Sequence, residues 1–127
     1  MFEIDAATKR ITMHRGDTGE FVCRAVTPEG ETPVTFTSAS RGLFTVKSAN
    51  GTEIMRRVYE LSDRAFEVRF SNPDTDYLTP GDYQWDVRYV VNPPDGWDGT
   101  EITDNLTEVK TPGSPFVLHI NSTVGQL

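Results

Sequence analysis

Between residues 82 and 91 the chain reads Asp-Tyr-Gln-Trp-Asp-Val-Arg-Tyr-Val-Val. Tyr83, Trp85, Val87, Tyr89 and Val91 fall at alternate positions, with Gln84, Asp86 and Arg88 between them. Successive side chains of a strand point to opposite faces, so an extended backbone sorts this segment into one apolar and one polar side. A helix would scatter the same rings around its axis. The segment predicts a central strand with Tyr83, Trp85, Val87 and Tyr89 in the core.

The same spacing of two recurs in short runs parted by Gly, Pro, Asp and Asn, which is the pattern of an all-β chain. Strands are predicted at 10–14, 19–27, 34–38, 43–47, 52–59, 65–70, 82–91, 101–110 and 116–121. In the second of these Phe21, Cys23 and Ala25 share a face, which places Phe21 and Cys23 in the apolar layer. Asn50-Gly51 tolerates the positive φ of a tight turn and should join 43–47 to 52–59 as a hairpin. Gly16-Asp17 marks another turn, with the Asp17 side chain expected to accept from backbone N–H groups just ahead in the chain. In Ser71-Asn72-Pro73-Asp74 a capping residue precedes Pro and an acid, which predicts one helical turn over 73–78, stopped by Pro80-Gly81. Residues 92–99, with Pro93, Pro94, Gly96 and Gly99, can only be loop. The expected architecture is an immunoglobulin-like β-sandwich of about seven to nine strands, one domain over 1–127 with a mobile tail at 122–127.

At 127 residues the chain is long enough to bury a core without a metal or a disulfide. Its single cysteine, Cys23, has no partner for an internal disulfide. With 19 acidic and 12 basic residues the net charge is −7, which opposes nucleic acid and anionic lipid as partners. No apolar run approaches the ~20 residues of a membrane span, and the Met-Phe-Glu-Ile-Asp start has neither the basic nor the apolar region of a signal peptide. The expectation is a chain made in a cytoplasm, with no membrane partner.

No residue set spells out a reaction. His14 and His119 lack the neighbours of a zinc site or a triad and read as solvated strand residues. Asp95, Asp98, Glu101 and Asp104 miss the spacing of a calcium loop. Arg15-Gly16-Asp17 matches an adhesive tripeptide, but it is more simply a strand end and turn. Asn105-Leu106-Thr107 and Asn121-Ser122-Thr123 match glycan acceptors that matter only after export. The carboxylates lie in turns or on exposed faces, without the apolar setting that sugar hydrolysis asks of its acid. The expectation is therefore no enzyme, no cofactor and no metal. Trp97 is the aromatic expected on a polar loop. With Val90, Pro93 and Pro94 it forms the candidate contact patch for a partner, protein or sugar.

Two segments carry a resemblance: Ile11-Thr12-Met13-His14-Arg15-Gly16-Asp17-Thr18-Gly19-Glu20-Phe21, and Leu78-Thr79-Pro80-Gly81-Asp82-Tyr83-Gln84-Trp85-Asp86-Val87. A strand leading to Gly-Asp-Thr, then a late Leu, Gly, aromatic and Asp-containing strand, resembles the N-terminal domain of phage baseplate upper proteins and related small prophage tail proteins. The closing Thr111-Pro112-Gly113-Ser114-Pro115-Phe116-Val117-Leu118-His119-Ile120 is similar to that family's final strand. The resemblance implies an immunoglobulin-like fold and a structural role in a virion tail or baseplate. Its expected partners are other tail proteins and further copies of the chain in a homo-oligomer. The competing class is an immunoglobulin-like module that presents loops to a carbohydrate or a cell-surface protein.

Overall fold

A computed structural model describes residues 2–26, 30–32, 34–100, 105–111 and 113–121. In chain order the elements are β1 (Glu3–Ile4), β2 (Ile11–His14), β3 (Gly19–Arg24), β4 (Arg41–Ser48), β5 (Glu53–Glu60), β6 (Ala65–Phe70), α1 (Asn72–Thr75), β7 (Gly81–Val90), β8 (Glu108–Lys110) and β9 (Phe116–Asn121). The fold is an all-β sandwich. The larger sheet has the order β1-β2-β9-β7-β4-β5, with β8 beside the end of β7, and the smaller contains β3 and β6. All pairs are antiparallel except β2 with β9, which run parallel.

The central strand is β7, which pairs β4 on one side and β8 and β9 on the other. Tyr83, Trp85, Val87 and Tyr89 are buried. The indole of Trp85 lies 4.9 Å from the Phe116 ring, 5.4 Å from Phe21 and 6.0 Å from Phe44, centroid to centroid. Its N–H donates to Lys9 O at 3.1 Å, so the buried polar atom has a partner. The Tyr83 hydroxyl donates to Thr79 O. Facing β7 from the smaller sheet, Cys23, Ala25, Phe66, Val68 and Phe70 complete the core, and Phe21 is half-buried against it.

The Asn50-Gly51 turn joins β4 to β5 with Gly51 at φ +89°. Gly42 lies inside β4, one residue ahead of the strand expected at 43–47. A Cβ there would stand 2.3 Å from the Phe66 ring, so the glycine lets the two sheets approach. The helical turn occupies Asn72–Thr75, where Ser71 N–H and Oγ both donate to Asp74 Oδ2 (2.7 and 2.9 Å). Gly81 opens β7 at φ +139° and Gly16 turns at φ +83°, conformations that L side chains rarely adopt.

Two strand expectations are corrected and one strand is added. Residues 34–38 are not a strand: Ser40 N–H donates to Thr37 O, Thr37 N–H to Ser40 Oγ, and Ser40 Oγ to Val91 O, folding the segment into a turn pinned to the end of β7. The strand expected over 101–110 is limited to Glu108–Lys110 among the described residues, because Asn92 accepts from Thr107 N–H through its side chain and donates to Asn105 O, holding the chain in a loop. The short β1 was not anticipated. It follows from the Asp5 loop, in which Asp5 Oδ1 accepts from Ala7 and Thr8 N–H and Asp5 N–H donates to Arg10 O. The tail expected at 122–127, Thr27 at the end of the 19–27 strand, and Glu101 and Asp104 lie outside the described residues.

Candidate functional site

The contact patch expected from the sequence does not come together. Val90 is fully buried, at 0% exposure, and Leu43 beside it on the outer face is also buried. The chain after β7 turns back over that face: Arg56 donates to Thr100 Oγ1, and Gly99 packs so closely that a Cβ would lie 2.7 Å from Leu43 Cδ1. An outward position on a strand is thus a core position when a loop lies across it. Trp97 and Pro93 are half-buried, Pro94 is exposed, and Trp97 N–H donates to Pro94 O.

The turn at Gly16-Asp17 is part of the framework. Asp17 N–H donates to His14 O, and Asp17 Oδ2 accepts from His14 N–H at 2.8 Å, so the donor lies behind Asp17 in the chain and not ahead of it. Asn72 Nδ2 donates to Gly16 O, Thr75 Oγ1 to Asp17 O, and Arg15 Nε to Asp76 O. The Arg15-Gly16-Asp17 tripeptide is thereby stitched to α1. The histidines are more engaged than solvated strand residues would be. His119 Nδ1 and Nε2 stand 2.5 Å from Asp82 Oδ1 and 2.8 Å from Asn121 Oδ1, and His14 Nδ1 is 3.7 Å from Asp17 Oδ2. Among the described residues no group of three or more His, Cys, Asp or Glu side chains is placed to hold a metal ion.

A different feature stands out, at the edge of the smaller sheet. Ala25 N–H donates to Arg64 O, which fixes the phase of the antiparallel β3–β6 ladder: Phe21, Cys23 and Ala25 turn their backbone groups toward β6,. Glu20, Val22 and Arg24 therefore turn theirs away from it. Among the described residues nothing pairs with those outward N–H and C=O groups. Beneath this edge lies a cleft of about 490 Å³. Its floor is Trp85, Val87, Tyr89 and Phe116 from the larger sheet, and its wall is the inner side of β3.

Two valines here are solvent-exposed, Val22 on β3 and Val26 just beyond its end, each at 62%. With Ile4, which is also exposed, they flank the mouth of the cleft. Charge at the cleft has one sign. Among the described residues Lys9, Arg24 and Lys110 line it and no carboxylate does, in a chain whose net charge is −7. Arg24 is held by Asp63 (3.1 Å), both largely exposed. Cys23, in the wall, is a free thiol whose pKa burial pushes up to about 12. At neutral pH it is a protonated, apolar lining group and a poor nucleophile.

Sequence reasoning placed Phe21, Cys23, Tyr83, Trp85, Val87 and Tyr89, and the structure gathers all six around this cleft and the core beneath it. It missed Val22, Val26 and Lys110. A signal was present: the run Phe21-Val22-Cys23-Arg24-Ala25-Val26 carries apolar residues on both faces, whereas a strand with one solvated face alternates cleanly.

Comparison of the chain with protein-family models, curated proteins and solved structures finds no match. The molecule is thus defined by its own geometry: an all-β sandwich-like domain with an open strand edge above a basic-rimmed apolar cleft.

Proposed function

We propose that this protein is a non-enzymatic structural component of a phage or prophage tail, baseplate-like in role, located in the virion and working by assembly with other tail proteins and copies of itself. One observation carries the assembly part of the reading: the open edge of β3, with exposed valines beside an apolar cleft. Soluble β proteins ordinarily cover, charge or twist away such edges, and an uncovered one is a template for another strand. The place of assembly, a tail, comes from the resemblance of the Ile11–Phe21 and Leu78–Val87 segments. The alternative, a binding module for carbohydrate or a cell-surface protein, asks for an exposed aromatic platform. Its candidate, Trp97, is half-buried with its backbone folded into the loop.

The test is size exclusion with light scattering on the chain alone and mixed with the products of adjacent genes. Self-association or a stable mixed complex is the expected result. A strict monomer that binds none of those products, yet is retained on a glycan array, overturns the assembly reading in favour of the alternative.

A further inference from the structure

We propose that the cleft receives an extended acidic segment of a partner protein, which adds as a strand to the open edge of β3 and seats alternate apolar side chains against Trp85, Val87 and Phe116. The proposal rests on the assembly reading and names the chemistry of the partner. Three independent features of the site converge on it.

The first is hydrogen bonding. Glu20, Val22 and Arg24 present outward N–H and C=O groups with the two-residue repeat of an antiparallel or parallel ladder, and only an extended backbone offers donors and acceptors at that repeat. The second is shape. The larger sheet has seven described strands and the smaller only two. The cleft lies beside β3, where a further strand would run. An added strand would direct every second side chain into it, onto a floor of buried apolar groups.

The third is charge. Lys9, Lys110 and the Asp63-paired Arg24 ring the site, with no carboxylate among its described lining residues. The surrounding chain is strongly acidic and repels acidic partners at long range. A partner with carboxylates flanking its apolar positions meets this cationic rim. A second copy would have to offer β3 itself, whose outward side chains Glu20, Val22 and Arg24 bring a cation along with the acid. The rim favours a segment bearing acids alone.

The experiment titrates the intact protein with the capped peptide Glu-Val-Thr-Val-Thr-Val-Asp by calorimetry, and follows tryptophan fluorescence because Trp85 is in the floor. A control peptide carries Lys at both ends. Saturable binding of the acidic peptide, and at least about tenfold weaker binding of the basic one, is expected. Lys110→Glu, on an exposed side chain, should weaken the acidic peptide about fivefold to tenfold and strengthen the basic one. Val22→Pro removes an N–H that belongs to the open edge and not to the β3–β6 ladder, so it should weaken the acidic peptide tenfold or more while the fold survives. Should Val22→Pro fail to fold, the reciprocal effect of Lys110→Glu on the two peptides still decides.

No saturable binding, equal binding of both peptides, or a folded Val22→Pro protein that binds normally overturns the proposal. A wild-type dimer that Val22→Pro dissociates also overturns it, by making the occupant a second copy. If the acidic peptide fails but complexes with the adjacent gene products form, strand addition is wrong and the assembly reading stands. If both fail, neither stands.

Discussion

The two strands of the smaller sheet each have an outer edge, and the two edges are treated differently. On β6, Ala65 exchanges backbone hydrogen bonds with Ser62 (2.8 and 3.0 Å), and Arg69 O accepts from the Arg57 guanidinium at 2.6 Å. Arg57 is held in place by Asp74 at 2.7 Å and lies over the Phe70 ring. The β6 edge is thus capped by its own chain at Ala65 and at the Arg69 carbonyl. On β3 the corresponding groups of Glu20, Val22 and Arg24 meet nothing among the described residues. One sheet therefore carries an edge capped at both ends against added strands and an edge left available along its length, and a difference between neighbours in one ladder points to a use for the open one.

The largest expected effect tests the floor that both edges share. Trp85→Ala should cost about 3–5 kcal/mol, since a buried indole touching Phe21, Phe44 and Phe116 would leave a cavity that those rings cannot all close. Chemical denaturation showing a loss below about 1 kcal/mol would place the indole in solvent and dissolve the distinction between cleft and core.

Next in size is the cover on β6. Arg57→Met keeps the apolar stem but removes the hydrogen bond to Arg69 O and the pair with Asp74, and should cost about 1–3 kcal/mol. It should also expose the edge. Self-association through β6 then becomes measurable by light scattering. A variant no more associated than its parent would mean that the arginine is not what protects the edge.

The same contact has a pH signature. Burial alone would raise the pKa of Asp74, but the Ser71 N–H and hydroxyl and the Arg57 guanidinium together hold it below its ordinary value of 3.8. A depressed carboxyl stabilises the fold above its unfolded-state pKa, and the contribution disappears as pH falls through the lower folded-state value. The β6 cover should therefore weaken only below about pH 4, and acid titration of Asp74→Asn should show a shallower loss of stability in that window than the parent. Equal slopes would remove Asp74 from the acid response.

The contrast between the edges also explains what the sequence could and could not convey. The faces of β7 and the core side of β3 were readable, because alternation with period two reports which side of a strand is apolar. Edge status was not. A strand's neighbours are set by chain segments far away, and Gly19–Arg24 has the same local pattern whether one or both sides are paired. Val90 shows the same limit on the larger sheet: its alternation assigned it outward, correctly, but the loop that buries that face is joined to it through Gly99 and Thr100, whose packing leaves no periodic trace. Residues 34–38 failed for a related reason. Val34, Thr35 and Thr37 favour a strand locally, but the Ser40 hydroxyl bonds to Val91 O and ties the segment into a turn.

The smallest expected effect is the sharpest discriminator between the two strands. Val22 and Val68 lie in the same sheet, one pairing position apart, with Val68 opposite Phe21. Valine to threonine keeps a β-branched side chain of strand preference but exchanges a methyl for a hydroxyl, so the cost depends on whether that hydroxyl meets water. At Val68, which is fully buried, the hydroxyl is desolvated and Val68→Thr should cost about 1–3 kcal/mol. At Val22, 62% exposed, the same change should fall within about 0.5 kcal/mol. The measurement is paired equilibrium denaturation of the two variants. A cost at Val22 approaching that at Val68 would mean that the β3 face is covered in solution, by another copy or by another part of the chain, and the edge would no longer be open to a partner.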